Sequence, residues 1–250
     1  MEGVNGVDFD GLTRRVTISR IEGQTRTESV DVVVIEFPLT IYLNNREIAT
    51  LLCTPERLDC LAVGFLESEG LLTGRDEIAK LVVDGAKGRV WIESPSARKD
   101  DIDVVGKRLV PSGCGHDALF YNVLDAAGRP TVTSDLTIRA DQISELMREF
   151  QLRSRLYRAT GGVHSAALCS GGQIVIFCED IARHNAVDKV FGYCLLNGVA
   201  TADRVLLTTG RISSEILLKA AKRGVPVVVS KAAPTSLSLR LAEEVGVTVV

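Results

Sequence analysis

A cysteine held between two glycines is sterically open, and this sequence has one in Pro111-Ser112-Gly113-Cys114-Gly115-His116-Asp117. An ordinary free thiol has a pKa of about 8.5; a protonated His116 beside it favours the reactive thiolate and Asp117 acts against that. Such a thiol can attack an electrophile or carry a sulfane sulfur as a persulfide, whereas hydrolysis also requires a base within hydrogen-bond reach. On the residues alone, a reactive thiol and an incidental loop cysteine stand side by side. The remaining five of six cysteines, Cys53, Cys60, Cys169, Cys178 and Cys194, fall in apolar segments, where cysteine behaves as a small hydrophobe. No pair has the C-x-x-C spacing of a zinc or dithiol site, so no metal ligands are assigned.

A second concentration of polar residues lies at three places where a β-like segment meets a helical one. Gln173–Cys178 is followed by Glu179, Asp180, Arg183, His184, Asn185, Asp188 and Lys189. Arg204–Thr208 is followed by Thr209, Gly210, Arg211, Ser213, Ser214 and Glu215, and Val225–Val229 by Ser230, Lys231, Pro234, Thr235 and Ser236. If these strands are parallel, all three junctions share the carboxyl edge where open α/β sheets place their ligands. Each helix start offers unpaired N–H groups and the positive end of a dipole, with a cation nearby. One such junction is explained by helix capping and surface charge; three together favour an anionic, phosphate-bearing ligand. Thr160-Gly161-Gly162-Val163-His164-Ser165 adds a tight turn, although it is neither G-x-G-x-x-G nor a Walker loop. His164 reads equally well as a core histidine or a ligand contact. His184 has Asp188 one helical turn on, placed to orient its ring.

The elements that must position these residues follow from periodicity. The first quarter reads as strands, with Leu39–Leu43 and Glu47–Leu52 flanking an Asn44-Asn45 hairpin turn. Thr54 as cap and Pro55 at the first helical position open a helix striped by Leu58, Leu61, Ala62, Phe65 and Leu66. Two short strands follow near Lys80–Val83 and Arg89–Ile92, and Asp100–Val110 adds another. From Asp141, Ile143, Leu146, Met147 and Phe150 mark a helix. Strand and helix then alternate to the end, with a helix Ala186–Leu196 capped by Asn185, which argues a mainly parallel, helix-flanked sheet. A boundary near Pro111–Thr133 separates a β-rich region, 1–133, containing the Cys114 loop, from an α/β region, 134–250.

Composition bounds what such a chain can do. Its 250 residues are 46% hydrophobic and 24% charged, which excludes a disordered chain. A net charge of -3 gives no global positive field to hold nucleic acid or an anionic membrane. No apolar run approaches the roughly 20 residues that cross a bilayer, and no signal peptide is visible, so a cytoplasmic location with reduced thiols is expected.

In order, Thr160-Gly-Gly-Val-His-Ser-Ala-Ala, Glu179-Asp-Ile-Ala-Arg-His-Asn-Ala-Val-Asp-Lys-Val, Thr209-Gly-Arg-Ile-Ser-Ser-Glu and Ser230-Lys-Ala-Ala-Pro-Thr-Ser resemble the formate dehydrogenase accessory sulfurtransferases, the FdhD/NarQ family. The Asn-x-x-x-Ile-Ala-Thr-Leu-Leu-Cys-Thr-Pro stretch and Gly64-Phe65-Leu66 match that family's N-terminal region. The resemblance implies an α/β fold: a three-layer sandwich resembling cytidine deaminase, with a mixed, largely parallel sheet and a smaller β-rich N-terminal region. It also implies a homodimer. It makes Cys114 the persulfide-bearing residue, loaded by a cysteine desulfurase. The sulfur then passes to a molybdenum (or tungsten) bis-pyranopterin guanine dinucleotide cofactor destined for formate dehydrogenase.

The cofactor-contacting residues implied are Gly161, Gly162, His164, Arg183, His184, Asn185, Asp188, Lys189, Arg211, Ser213, Ser214, Ser230, Lys231 and Thr235. Two departures stand out. Asp117 occupies the place of the second cysteine in the family's Cys-Gly-x-Cys-Gly loop, and the sequence ends at Val250, before the family's Gly/Arg/aromatic tail. The altered loop keeps a second reading open, a chaperone that holds the cofactor without thiol chemistry. A zinc deaminase is disfavoured, because His164 is followed by Ser165-Ala166 and the H-x-E and C-x-x-C ligand motifs are absent.

Overall fold

The computed structural model describes residues 9, 11–97, 108–110 and 131–250; the Cys114 loop, residues 100–107 of the expected strand and the apolar stretch Ala118–Leu124 lie outside the described residues. The chain begins with an antiparallel ribbon of β1 (Thr13–Glu22) and β2 (Thr25–Val34). Next come β3 (Phe37–Leu43) and β4 (Arg46–Cys53), joined through Asn44 and Asn45 at φ 49° and 63°. Two consecutive left-handed residues make the hairpin turn whose twist matches that of paired strands, and asparagine tolerates that conformation. With β5 (Lys80–Asp84), β6 (Arg89–Glu93) and β7 (Arg108–Val110) they build a five-stranded sheet ordered β5-β6-β3-β4-β7.

Helix α1 (Leu58–Ser68) covers this sheet, packing Leu61, Phe65 and Leu66 with Leu39, Ile41 and Leu43. It does not start at Thr54-Pro55 as the capping pattern suggests. Its cap is Arg57, at φ 52°, without a side-chain hydrogen bond. The reason lies in Thr54, whose N–H donates to Asp180 Oδ2 at 3.1 Å and whose Oγ1, the acceptor a cap would use, accepts Lys189 Nζ at 2.7 Å.

The second half holds α2 (Ala140–Arg153), the short α3 (Arg155–Thr160), β8 (His164–Ser170), β9 (Gln173–Asp180), α4 (Arg183–Leu196), β10 (Val205–Thr208), α5 (Ser214–Lys222), β11 (Val227–Ser230), α6 (Ser236–Val245) and β12 (Thr248–Val249). The sheet order is β12-β11-β10-β8-β9. β10 runs parallel to β11 and β11 to β12, while β8 is antiparallel to both its neighbours. Four strands therefore point one way, and β8 alone is reversed. Alternation along the strands separates two faces. Ala166, Leu168, Leu206 and Val228 pack with α4, α5 and α6; Ala167, Cys169, Leu207 and Val229 pack with Leu146, Met147 and Phe150 of α2. The result is a three-layer α/β/α sandwich. Val132 joins the first of these clusters, its N–H donating to Val245 O at 2.8 Å.

The two halves meet where α1 crosses α4. A Cβ on Gly64 would lie 1.9 Å from Asp188 O, and one on Gly192 would lie 1.9 Å from Cys60 O. Only glycine at both places allows the backbones to touch. α4 also starts earlier than expected. It begins at Arg183 behind Ala182, not at Ala186 behind Asn185, because Asp180 Oδ1 accepts the Ala182 N–H at 3.0 Å and fixes the start there. Among the described residues, no helix is long and apolar enough to cross a membrane.

Candidate functional site

Because β9, β10 and β11 point the same way, the three polar junctions do share one edge of the sheet. β8 starts at that edge, since His164 pairs with Asp180 in register. A cleft of about 590 Å³ opens there, lined by Gln151, Ser154, Tyr157, Arg158, Gly161, Gly162, Val163, His164, Ile181, Thr209 and Lys231. Of the expected cofactor contacts it gathers Gly161, Gly162, His164 and Lys231. Gly161, at φ 64°, ends α3 in the left-handed region, and Gly162 lies so close to Val34 that a Cβ would reach its Cγ1 at 2.8 Å. The base of the β1–β2 ribbon thus supports the glycine turn.

His164 Nδ1 lies 3.3 Å from Thr209 Oγ1, which also accepts the Ser165 N–H at 2.9 Å. Burial holds the His164 pKa below the ordinary histidine value, and the Arg183 charge adds to this against the opposing pull of Asp180. The ring is therefore neutral at neutral pH, able to accept or donate a hydrogen bond in the cleft.

The wall formed by Tyr157 and Arg158 is set by Glu179. Its buried carboxylate accepts the N–H groups of Leu156 at 3.1 Å and Tyr157 at 3.0 Å, standing in as the cap that α3 lacks. Burial raises its pKa, partly offset by those two N–H groups and the Ser165 hydroxyl.

Other expected contacts are placed elsewhere. Asn185, Asp188 and Lys189 do not line the cleft; they are buried at the seam between the halves. Lys189, 1% exposed, reaches Asp180 at 2.6 Å and donates to Thr54 Oγ1 at 2.7 Å and to Glu179 O at 3.2 Å. Asn185 Nδ2 bridges Leu52 O and Asp180 Oδ1, each at 2.9 Å. Asp188 accepts Ser68 Oγ at 2.7 Å and Lys219 Nζ at 2.7 and 2.8 Å, so it is taken up by those groups; the carboxylate beside His184 Nε2 is instead Glu215, at 3.2 Å.

The hydroxyls of three further residues serve the loops themselves. Ser213 caps α5 and Thr235 caps α6, while Ser230 donates to Gly210 O at 2.8 Å and ties two junctions together. Ser214 is buried in the first turn of α5, Arg211 is exposed, and Arg183 lies against Gly210. Gln151, Ser154, Tyr157, Arg158 and Ile181 are the lining residues that motif reading passed over. Their signal was position: four precede the Gly161-Gly162 turn within three helical turns, where a chain reversal at Ser154 swings them to the same edge.

The five described cysteines are free and buried. Burial pushes the thiols of Cys53, Cys60, Cys169 and Cys178 up to about 12 and that of Cys194 to about 11. None of them is a nucleophile at neutral pH.

Fold and cleft together define an α/β protein with an open cleft at the carboxyl edge of a mixed sheet, lined by the cations Arg158 and Lys231. The FdhD/NarQ family model matches residues 34–250. The chain is 42% identical over 237 residues to the sulfur carrier protein FdhD of Geobacillus kaustophilus, covering 95% of this chain and 90% of that one. It is 40% identical over 241 residues to the sulfur carrier protein FdhD of Bacillus subtilis, covering 96% and 92%. A crystal structure of a protein assigned as a formate dehydrogenase accessory protein, from Desulfotalea psychrophila, superimposes with a TM-score of 0.76 at 30% identity, covering 96% of this chain and 91% of that one. The chain belongs to the FdhD/NarQ family.

Proposed function

We propose that this protein is a sulfur carrier in the maturation of formate dehydrogenase, a role supported by the names and near-full-length similarity of its relatives. In this reading a cysteine desulfurase presents a persulfide, and the Cys114 thiolate attacks its outer sulfur. The donor's S–S bond breaks, the donor leaves as a thiolate, and Cys114 holds the sulfane sulfur. With the five described thiols buried and protonated, Cys114 is the cysteine left for this work. The protein acts as a sulfurtransferase of the carrier type, in the cytoplasm, as a homodimer.

The cargo that receives the sulfur is the molybdenum (or tungsten) bis-pyranopterin guanine dinucleotide cofactor, bound before it enters formate dehydrogenase. The observation that carries the binding half is the convergence of Gly161-Gly162, His164, Thr209, Arg158 and Lys231, from separate chain segments, on one cleft at the sheet edge. Lys231 and Arg158 would meet phosphate charge, the glycine turn would admit close backbone approach, and neutral His164 with Thr209 would hydrogen-bond polar groups of the cargo. The bound group itself would supply the metal centre that takes up sulfur.

In cells lacking the protein, Cys114→Ala is expected to leave formate dehydrogenase inactive although the variant accumulates and folds. Full activity would remove the thiol from the account and leave the cofactor-holding chaperone, the reading that Asp117 at the second cysteine's place favours.

A further inference from the structure

From His184 inward, a chain of ionisable groups runs between two helices, α4 and α5. His184 Nε2 lies 3.2 Å from Glu215 Oε2, Glu215 Oε1 lies 3.6 Å from Lys219 Nζ, and Lys219 Nζ lies 2.7 Å from Asp188 Oδ2. Asp188 in turn accepts the hydroxyl of Ser68 on α1. Exposure falls along the chain, with side chains 16% exposed at His184, 8% at Glu215, 4% at Lys219 and 2% at Asp188. Within these four groups two carboxylates face one ammonium, so a protonated His184 brings the set to neutrality. Lys219 is itself held charged. Burial disfavours its ammonium, but the Asp188 and Glu215 carboxylates together outweigh that and raise its pKa.

His184 is the second residue of α4, four residues beyond Asp180 at the end of β9, and so belongs to the edge that carries the cleft. We propose that Glu215 is a positioning residue that holds His184 as an imidazolium, giving this edge a pH-dependent positive charge toward anionic cargo. This rests on the reading of the edge as the cargo site.

Among the described residues, the charges around His184 pull in both directions. On α4, Arg183 and the positive helix end oppose protonation, while Lys189 is engaged with Asp180 and Asp188 with Lys219. On α5, Glu215 favours it. Beyond the chain, Lys222 donates to Glu67 O at 2.5 Å and Arg223 pairs with the Glu67 carboxylate of α1 at 3.7 Å. The Glu215 carboxylate stands at contact distance and largely withdrawn from water, where an opposite charge acts more strongly than the partial charge of a helix end; Arg183, whose side chain lies against Gly210, opposes it. The sign follows: anion binding that uses His184 is strongest at low pH and is lost as pH rises through the histidine's folded-state titration.

The chain has three histidines, His116, His164 and His184, so their imidazole titrations can be followed individually by NMR on 15N-labelled protein, with His184→Gln identifying one resonance. His184 is expected to titrate above the ordinary histidine value of about 6.5, and Glu215→Gln to lower that midpoint by about one unit, a tenfold change in proton affinity. Glu215→Asp keeps the charge and should hold the midpoint between the two. Saturating inorganic pyrophosphate should raise it further in the wild type, because an anion that prefers the charged ring stabilises it. A wild-type midpoint at or below about 6.5, which needs no variant to measure, overturns the proposal. So does a midpoint that Glu215→Gln leaves in place, and a midpoint indifferent to pyrophosphate overturns the anion-directed role. No sulfur donor or cofactor enters these titrations, so a failure of sulfur loading at Cys114 would leave their outcome unchanged.

Discussion

The seam between the two halves and the cleft at the sheet edge take their polar residues from the same stretch of sequence, yet treat them in opposite ways. At the seam, Asp180 at 0% exposure and Lys189 at 1% are paired with each other and hydrogen-bonded to Thr54 and Glu179. Three backbone segments converge on them. At the cleft, Arg158 and Lys231 are exposed and His164 is half-buried beside Thr209. A charge that is fully satisfied inside a protein fixes geometry and is closed to ligands; a charge at an open rim contributes little to folding and remains free for an anion. The highly patterned Arg-His-Asn-Ala-x-Asp-Lys block is therefore divided. Asn185, Asp188 and Lys189 lock α4 against α1 and β4, while Arg183, against Gly210, and His184, beside Glu215, sit at the helix start.

The difference can be broken most forcefully at the seam. Replacing Lys189 by Met removes the cation and leaves the Asp180 carboxylate buried without it, for which a loss of about 3–5 kcal/mol is expected in urea unfolding. A loss under about 1 kcal/mol would mean that the seam is not held by this pair. The cleft should respond in the other sense. Lys231→Ala should change unfolding stability by no more than about 0.5 kcal/mol, as for an exposed residue. The same variant should weaken guanosine diphosphate binding about tenfold, close to 1.4 kcal/mol, by calorimetry. Unchanged affinity would take Lys231 out of the cargo site.

Much of this architecture was legible in the residues. The Asn44-Asn45 turn, the alternation from β8 to β12 and the shared edge of three polar junctions all follow from local pattern, because hydrophobic period and turn chemistry are local properties. The failures were tertiary. Thr54 and Asn185 are ordinary capping residues by type, but each bonds to Asp180 instead, across a contact that no local rule contains. Asp188 sits one turn from His184 along the helix, yet Lys219 and Ser68 claim it from two other helices. The reversal between α2 and α3, which brings Tyr157 and Arg158 to the cleft, depends on Glu179 reaching back to two N–H groups more than 20 positions earlier. Long-range partners decide such roles, and spacing along the chain does not reveal them.

The carrier account rests most directly on which thiol takes up sulfur. After incubation with a cysteine desulfurase and cysteine, peptide mass spectrometry under non-reducing conditions should find one or more added sulfur atoms on Cys114. It should find none on Cys53, Cys60, Cys169, Cys178 or Cys194, which burial keeps protonated. Added sulfur on any of those five with Cys114 unmodified, or no added sulfur at all on a folded protein, would contradict the account.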